Sequence, residues 1–182
     1  MITPLFLVLL AFQAPPAGPQ PVKYRVTGLF NPAREADLKD AVKKIAGVEL
    51  VSIDFDSSEV VFSYDVQKLL GKGTDKQLIE RFDNLLRNAS TSTFGVKPVC
   101  ATPKEKLTRI EIPVLGLECQ ACCLSAYEAI FKIDGVEQAT CSFKESRMTA
   151  LIDPEKTNQA ALEDALKKRN VTLKKPEEPA KK

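Results

Sequence analysis

The sequence predicts an α+β protein made of two tandem units, each running strand, helix, strand, strand, helix, strand. Three observations point there. Short runs of alternating or β-branched apolar residues are interleaved with runs at helical spacing. The pattern repeats when Gly47-Val48 is laid on Gly135-Val136. The length, 182 residues, suits one domain or two small ones, and the 44% apolar and 27% charged fractions are those of a folded chain.

In the first unit, strands are expected at residues 23–27, 49–54, 59–64 and 93–99, with helices at 33–46 and 75–88. Asn31 before Pro32 is a suitable helix N-cap with proline at the first helical position. Ser57-Ser58 makes a short hairpin turn, and residues 69–74, with Gly71 and Gly73, form an inserted mobile loop. In the second unit, strands are expected at 108–114, 137–143, 148–152 and 171–174, and helices at 121–133 and 159–169, with Glu145-Ser146 as the hairpin turn. This order is the ferredoxin-like split βαβ arrangement. The domain reading is a signal peptide at 1–14, a Pro-rich linker at 15–21, a first domain at 22–100, a second at 104–175 and a disordered tail at 176–182.

The repeat runs without gaps over much of each unit. Thr27-Gly28-Leu29-Phe30 falls on Leu115-Gly116-Leu117-Glu118, Lys44-Ile45 on Lys132-Ile133, Ser58 on Ser146 and Asp65 on Asp153. Ile45 and Ile133 are therefore expected at equivalent buried core positions. The same alignment places Asn31 and Arg34 where Cys119 and Cys122 stand. The first unit has the frame and lacks the thiols, and its Arg34 and Glu35 read as a solvated helix start.

Composition excludes several function classes. The chain has no histidine, so His-based metal sites and Ser-His or Cys-His catalysis are absent. A net charge of +2 gives no reason to expect nucleic acid. The run Leu5 to Phe12 is too short to span a membrane as a helix and reads as a signal-peptide core. No stable membrane insertion is expected, and the protein is expected to be periplasmic or secreted. Export would place the five cysteines, an odd number, in an oxidising compartment.

Chemistry concentrates in Gly116-Leu117-Glu118-Cys119-Gln120-Ala121-Cys122-Cys123. The preceding strand alternates Ile110, Ile112 and Val114, and the following run places Ala126, Ala129, Ile130 and Ile133 at helical spacing before Gly135. Cys119 is expected in the loop and Cys122 in the first helical turn, where unpaired N–H groups favour a thiolate. Cys122 is thus expected to be the more acidic thiol and Cys119 the more exposed. Thiolates select soft ions such as Cu(I) and also bind zinc.

The motif, with Ala129-Ile130 and Gly135-Val136 behind it, resembles the heavy-metal-associated domain family. That family includes copper chaperones, the amino-terminal domains of metal-pumping P-type ATPases and a periplasmic mercury-binding protein. The resemblance covers roughly residues 107–174. Leu117 stands where the family has Met under the metal loop, Cys123 is an additional thiol, and Asn170-Val171 replaces the family's Gly-Tyr. The resemblance implies Cu(I), with Hg(II) and Zn(II) as other ions, held by Cys119 and Cys122. It also implies a metal-donor or metal-acceptor partner, such as a P-type ATPase, and no enzymatic activity.

The remaining cysteines have plainer readings. Cys123 points about 100 degrees from Cys122 around a helix, so it is a candidate third ligand or a spectator thiol. Cys141 alternates with Ala139 and Phe143 and reads as a buried, inert core residue. Cys100 is free or pairs with a partner chain. The basic stretch Lys167, Lys168, Lys174 and Lys175 reads as a solvated face. Two rival function classes stay open: a redox protein whose Cys119 and Cys122 cycle between dithiol and disulfide, and a structural or interaction module. On export, mass spectrometry of protein from its native host is expected to find a chain starting near residue 14; intact Met1 on a cytosolic pool would count against it.

Overall fold

A computed structural model describes residues 18–117 and 119–174. The expected signal peptide, the first part of the Pro-rich linker, Glu118, Lys175 and the charged tail lie outside the described residues. The first half contains β1 (Gln20–Thr27), α1 (Arg34–Val42), β2 (Glu49–Asp54), β3 (Glu59–Tyr64), α2 (Val66–Leu70), α3 (Asp75–Ala89) and β4 (Gly95–Lys97). The second contains β5 (Thr108–Leu115), α4 (Gln120–Phe131), β6 (Val136–Ser142), β7 (Arg147–Ile152), α5 (Gln159–Lys168) and β8 (Thr172–Leu173).

Each half forms a four-stranded antiparallel sheet. The orders are β2-β3-β1-β4 and β6-β7-β5-β8, the same order twice. Both halves are ferredoxin-like. Alternation sets the core: Val60, Phe62 and Tyr64 are buried along β3, and Met148, Ala150 and Ile152 along β7. In the first half these strand residues meet Leu38, Phe82 and Leu86 from the helices. In the second they meet Ala126, Ile130, Leu162 and Leu166.

The repeat extends to individual hydrogen bonds. Val26 N–H donates to the Ser58 carbonyl at 2.8 Å, and Val114 N–H donates to the Ser146 carbonyl at 2.8 Å. Val48 donates to Ile45 at 3.2 Å and Val136 to Ile133 at 3.1 Å. Ser58 and Ser146 adopt positive φ, 55° and 49°, at the tips of the two hairpins. Ile45 is buried, whereas Ile133 is only half-buried against its core.

Several sequence expectations change. Asn31 is not the N-cap: its Oδ1 accepts the Ala33 N–H at 2.9 Å, forming a local turn that delays the helix to Arg34. β1 begins at Gln20, so the end of the Pro-rich segment belongs to the sheet, with Pro21 opposite Ser63. The insertion is held down. The short α2, capped by Asp65, runs into it and ends at Leu70, and Arg81 donates to the Leu70 and Lys72 carbonyls at 2.6 and 3.0 Å. β6 stops at Ser142, which leaves Phe143 48% exposed on the hairpin rather than in the core.

The two halves join through the β1–α1 loop of the first. Leu29 and Phe30 are buried, and Phe30 belongs to the core of the second half, its ring 5.6 Å from that of Tyr127. Gly28 N–H donates to the Tyr127 hydroxyl oxygen at 2.9 Å, and Cys141 N–H donates to the Phe30 carbonyl at 2.8 Å. Gln138 of β6 donates to the Phe55 carbonyl at 2.9 Å. Arg25 and Glu137 form a buried ion pair, and Lys97 lies 4.5 Å from the centre of the Phe131 ring. The connecting segment is fastened at both ends: Lys104 contacts Asp54 and Glu59, and Thr102 donates to Asp153 at 2.8 Å.

Gly28 and Gly116 occupy equivalent turns with φ of 92° and 77°, but their surroundings differ. A Cβ at Gly28 would meet the Thr93 carbonyl, while one at Gly116 would meet nothing within 4 Å. Gly116→Ala is expected to cost about 1–2 kcal/mol, the left-handed backbone penalty. Gly28→Ala is expected to cost clearly more, because the loop must also move off Thr93 and Tyr127. Urea unfolding of both variants checks the order.

Candidate metal site

The site grows from one turn. β5 ends at Leu115, Gly116 turns the chain with positive φ, and Leu117 drops into the core at 5% exposure. Leu thus fills the volume beneath the loop. Cys119 is the N-cap of α4, in extended conformation at φ −138° and ψ 157°. Its carbonyl accepts the Cys123 N–H at 3.0 Å. Its Sγ accepts the Cys122 N–H at 3.1 Å. A cysteine therefore does here what serine or aspartate does at other helix starts.

Cys119 and Cys122 come together as the sequence spacing implied. The structure joins them in a disulfide, with Cα atoms 5.2 Å apart. Cys119 is exposed and Cys122 half-buried, the expected order. The backbone N–H at the helix start points to Cys119, the cap, because an N-cap side chain folds back over the first turn while the Cys122 side chain lies along it.

Cys123 and Cys141 are placed differently from the sequence reading. Cys123 is turned inward at 1% exposure and bonded to Cys141, itself 2% exposed, with Cα atoms 5.5 Å apart. Cys141 is buried as expected but is not inert packing. The sequence could not show the pairing, because it depends on α4 crossing β6 at that level. Among the described residues no group of three or more His, Cys, Asp or Glu side chains is placed to hold a metal ion. Cys100 is the free cysteine, its Sγ 3.4 Å from the Thr102 carbonyl.

Above the cysteines lies a cleft of about 570 Å³ shared by both halves. Cys119, Cys123 and Lys144 line it from the second half, and Phe30, Asn31 and Ala33 from the first. In the first half the positions equivalent to the cysteines serve another purpose. The Arg34 guanidinium lies 5.3 Å from the Phe30 ring centre and 5.1 Å from that of Phe94, and pairs with Asp37 at 2.9 Å. Arg34 is thus more than a solvated helix start. Lys167 pairs with Asp164 at the end of α5, in keeping with a solvated face.

Sequence reasoning missed Phe30, Tyr127, Arg25 and Glu137. One signal was present: a large aromatic, Phe30, sits at a loop tip where the repeat carries Glu118. Burial pushes the Tyr127 hydroxyl well above the usual tyrosine range, so it remains a neutral acceptor for Gly28.

No family model matches the chain, and no curated protein sequence matches it. Solved structures do. The N-terminal soluble domains of Bacillus subtilis CopA are 18% identical over 90% of this chain and 99% of that one, with a TM-score of 0.36. Oxidized MerP from Ralstonia metallidurans CH34 is 24% identical over 37% of this chain and 94% of that one, with a TM-score of 0.36. The N-terminal domain of ZntA in the apo form is 28% identical over 37% and 90% of the two chains, with a TM-score of 0.35. The second half sets its Cys-x-x-Cys pair where a strand turns into a helix on a ferredoxin-like frame. Among the described residues no helix is long and apolar enough to cross a membrane.

Leu117 is the support under this loop, so its volume sets how firmly the cysteines are presented. Leu117→Met is expected to stay within about 1.5 kcal/mol of the parent. Leu117→Ala is expected to lose about 2–5 kcal/mol in urea unfolding, since it opens a cavity under the turn.

Proposed function

We propose that the protein is an exported carrier or buffer of a soft metal ion, with Cu(I) as the cargo and Hg(II) or Zn(II) as the other ions its thiols fit. The observation that supports this most directly is the exposed pair Cys119 and Cys122 at the start of α4, close enough to bond, with a backbone N–H aimed at one sulfur. Two-electron reduction of this disulfide yields two thiols. Their deprotonation gives a soft, two-coordinate site. Two thiolates leave the ion's coordination shell open. A thiolate from a partner can then enter, form a three-coordinate intermediate and displace one ligand, so the ion passes without being released.

The partner in this reading is a metal-donor or metal-acceptor protein, with a metal-pumping P-type ATPase as the leading candidate. No bond in a substrate needs to be made or broken, so no enzymatic step is assigned. Cys123 and Cys141 are left out of the metal shell.

A second reading has one observation in its favour. The Cys119–Cys122 disulfide could itself be the working form of a dithiol–disulfide redox protein. Metal titration separates the two. Reduced protein is titrated with Cu(I) against a competing chelator, in parent and in Cys119→Ser, Cys122→Ser, Cys123→Ser and Cys141→Ser variants. One ion per chain is expected. Loss of either Cys119 or Cys122 is expected to weaken binding by more than the roughly 10–100-fold typical of an outer-shell change. Losses at Cys123 and Cys141 are expected to change stability and leave affinity nearly unaltered. Parent-like affinity in both Cys119→Ser and Cys122→Ser would reject the carrier and leave the redox reading.

A further inference from the structure

Two equivalent strands have opposite fates. β2 and β6 are the outer strands of their sheets, at the same place in the repeat. β2 is exposed along most of its length, from Glu49 to Asp54. β6 is buried from Val136 through Ala139 and again at Cys141. α4 buries the inner face of β6, and the outward edge of this outer strand is covered by the β1–α1 loop of the first half. Phe30 sits in the core beneath α4, and its carbonyl takes the outward-facing N–H of Cys141 itself. Gln138 reaches back to the Leu29 and Phe55 carbonyls, and Tyr127 holds the Gly28 N–H.

The two disulfides therefore have opposite access. Cys119 is exposed on the wall of the cleft, whereas Cys123, which borders the same cleft, and Cys141 are 1% and 2% exposed beside the Phe30 loop. Thiol–disulfide exchange requires an incoming thiolate to reach a sulfur along the S–S axis, so access decides which bond opens.

We propose that the first domain shields thiols: its cysteine-free loop seals the Cys123–Cys141 disulfide, so that only Cys119 and Cys122 of the second domain exchange with outside thiols. The step it permits balances. A thiolate of a small dithiol attacks the exposed Cys119 sulfur, the Cys119–Cys122 bond breaks, and the electron pair leaves on Cys122, which takes a proton. The second thiol of the reductant then displaces Cys119 as a thiol and leaves as a cyclic disulfide. Two electrons enter the protein at the open pair and none at the sealed one. Its purpose rests on the metal-carrier reading, since sealing two of four neighbouring thiols leaves a single dithiol for one ion. Its test contains no metal, so either idea can fail alone.

The oxidised full chain is treated with dithiothreitol under native conditions, quenched over time with an alkylating reagent, and mapped by peptide fragmentation. Cys100, which is free, should be labelled without reductant and serves as the internal standard. Cys119 and Cys122 are expected to be labelled at least about tenfold faster than Cys123 and Cys141. In Phe30→Ala, labelling of Cys123 and Cys141 is expected to accelerate at least about threefold, with Cys119 and Cys122 unchanged. Circular dichroism confirms folding; should Phe30→Ala fail to fold, Phe30→Leu replaces it with the same expected direction. Equal rates for the two pairs in the parent would overturn the proposal whatever the variants do. So would a folded Phe30 variant whose inner pair is as resistant as the parent's.

Discussion

The seating of Phe30 in the second domain is the contact on which the arrangement of the whole chain depends. A buried aromatic of this size contributes about 1.5–3 kcal/mol. The backbone hydrogen bonds beside it, from Gly28 to Tyr127 and from Cys141 to Phe30, add about 1 kcal/mol each. Without the first domain, β6 would present an open row of N–H and C=O groups together with an unpaired carboxylate at Glu137, whose partner Arg25 stands on β1. With it, Glu137 meets Arg25 in a buried ion pair. Such a pair adds little net stability relative to apolar residues, but loss of one partner is costly. The pair therefore fixes the register of the two domains more than it strengthens them.

One turn geometry has been turned to two uses. In both domains a glycine with positive φ ends the first strand, a leucine drops into the core, and a helix begins a few residues later. In the second domain the cap is Cys119, and the helix-start N–H faces sulfur. In the first domain the residue aligned with Cys119 is Asn31, which is not the cap: its oxygen takes a local N–H, and Arg34 lies over Phe30 and Phe94. The turn needs only the glycine and the leucine to hold its shape. The residues after them are free to become an exposed cysteine pair in one copy and an interface in the other.

The fold was legible because the repeat is written in residues whose constraints are local. Gly47 and Gly135 turn the chain from helix towards β2 and β6, Ser58 and Ser146 tip hairpins, and the apolar alternation of β3 and β7 fixes which face is buried. The position of Cys119 in the loop and Cys122 in the first turn was legible for the same reason, though not that Cys119 caps the helix. What escaped the sequence was contact between segments far apart in the chain. The Cys123–Cys141 bond requires α4 and β6 to meet at one level. The Arg25–Glu137 pair requires the two sheets to meet at one edge. The burial of Phe143 was misjudged because β6 ends one residue earlier than its apolar pattern suggests.

Under the proposed carrier function, soft-metal transfer and disulfide chemistry make opposing demands on cysteines, and burial separates the two pairs. A thiolate that is to hand on an ion must be reachable, and a reachable thiolate in an oxidising compartment is also open to exchange. Four thiols within one turn and one strand would offer several pairings and more than one mode of metal binding. Pairing Cys123 with Cys141 in the interior, beneath a loop from another domain, reduces that set to one accessible pair. The sealing loop comes from the copy of the turn that has no cysteine of its own, so it covers the inner pair without adding a competing thiol. A metal-binding loop in that place would have to stay open; a loop ending in Phe30 can afford to be buried.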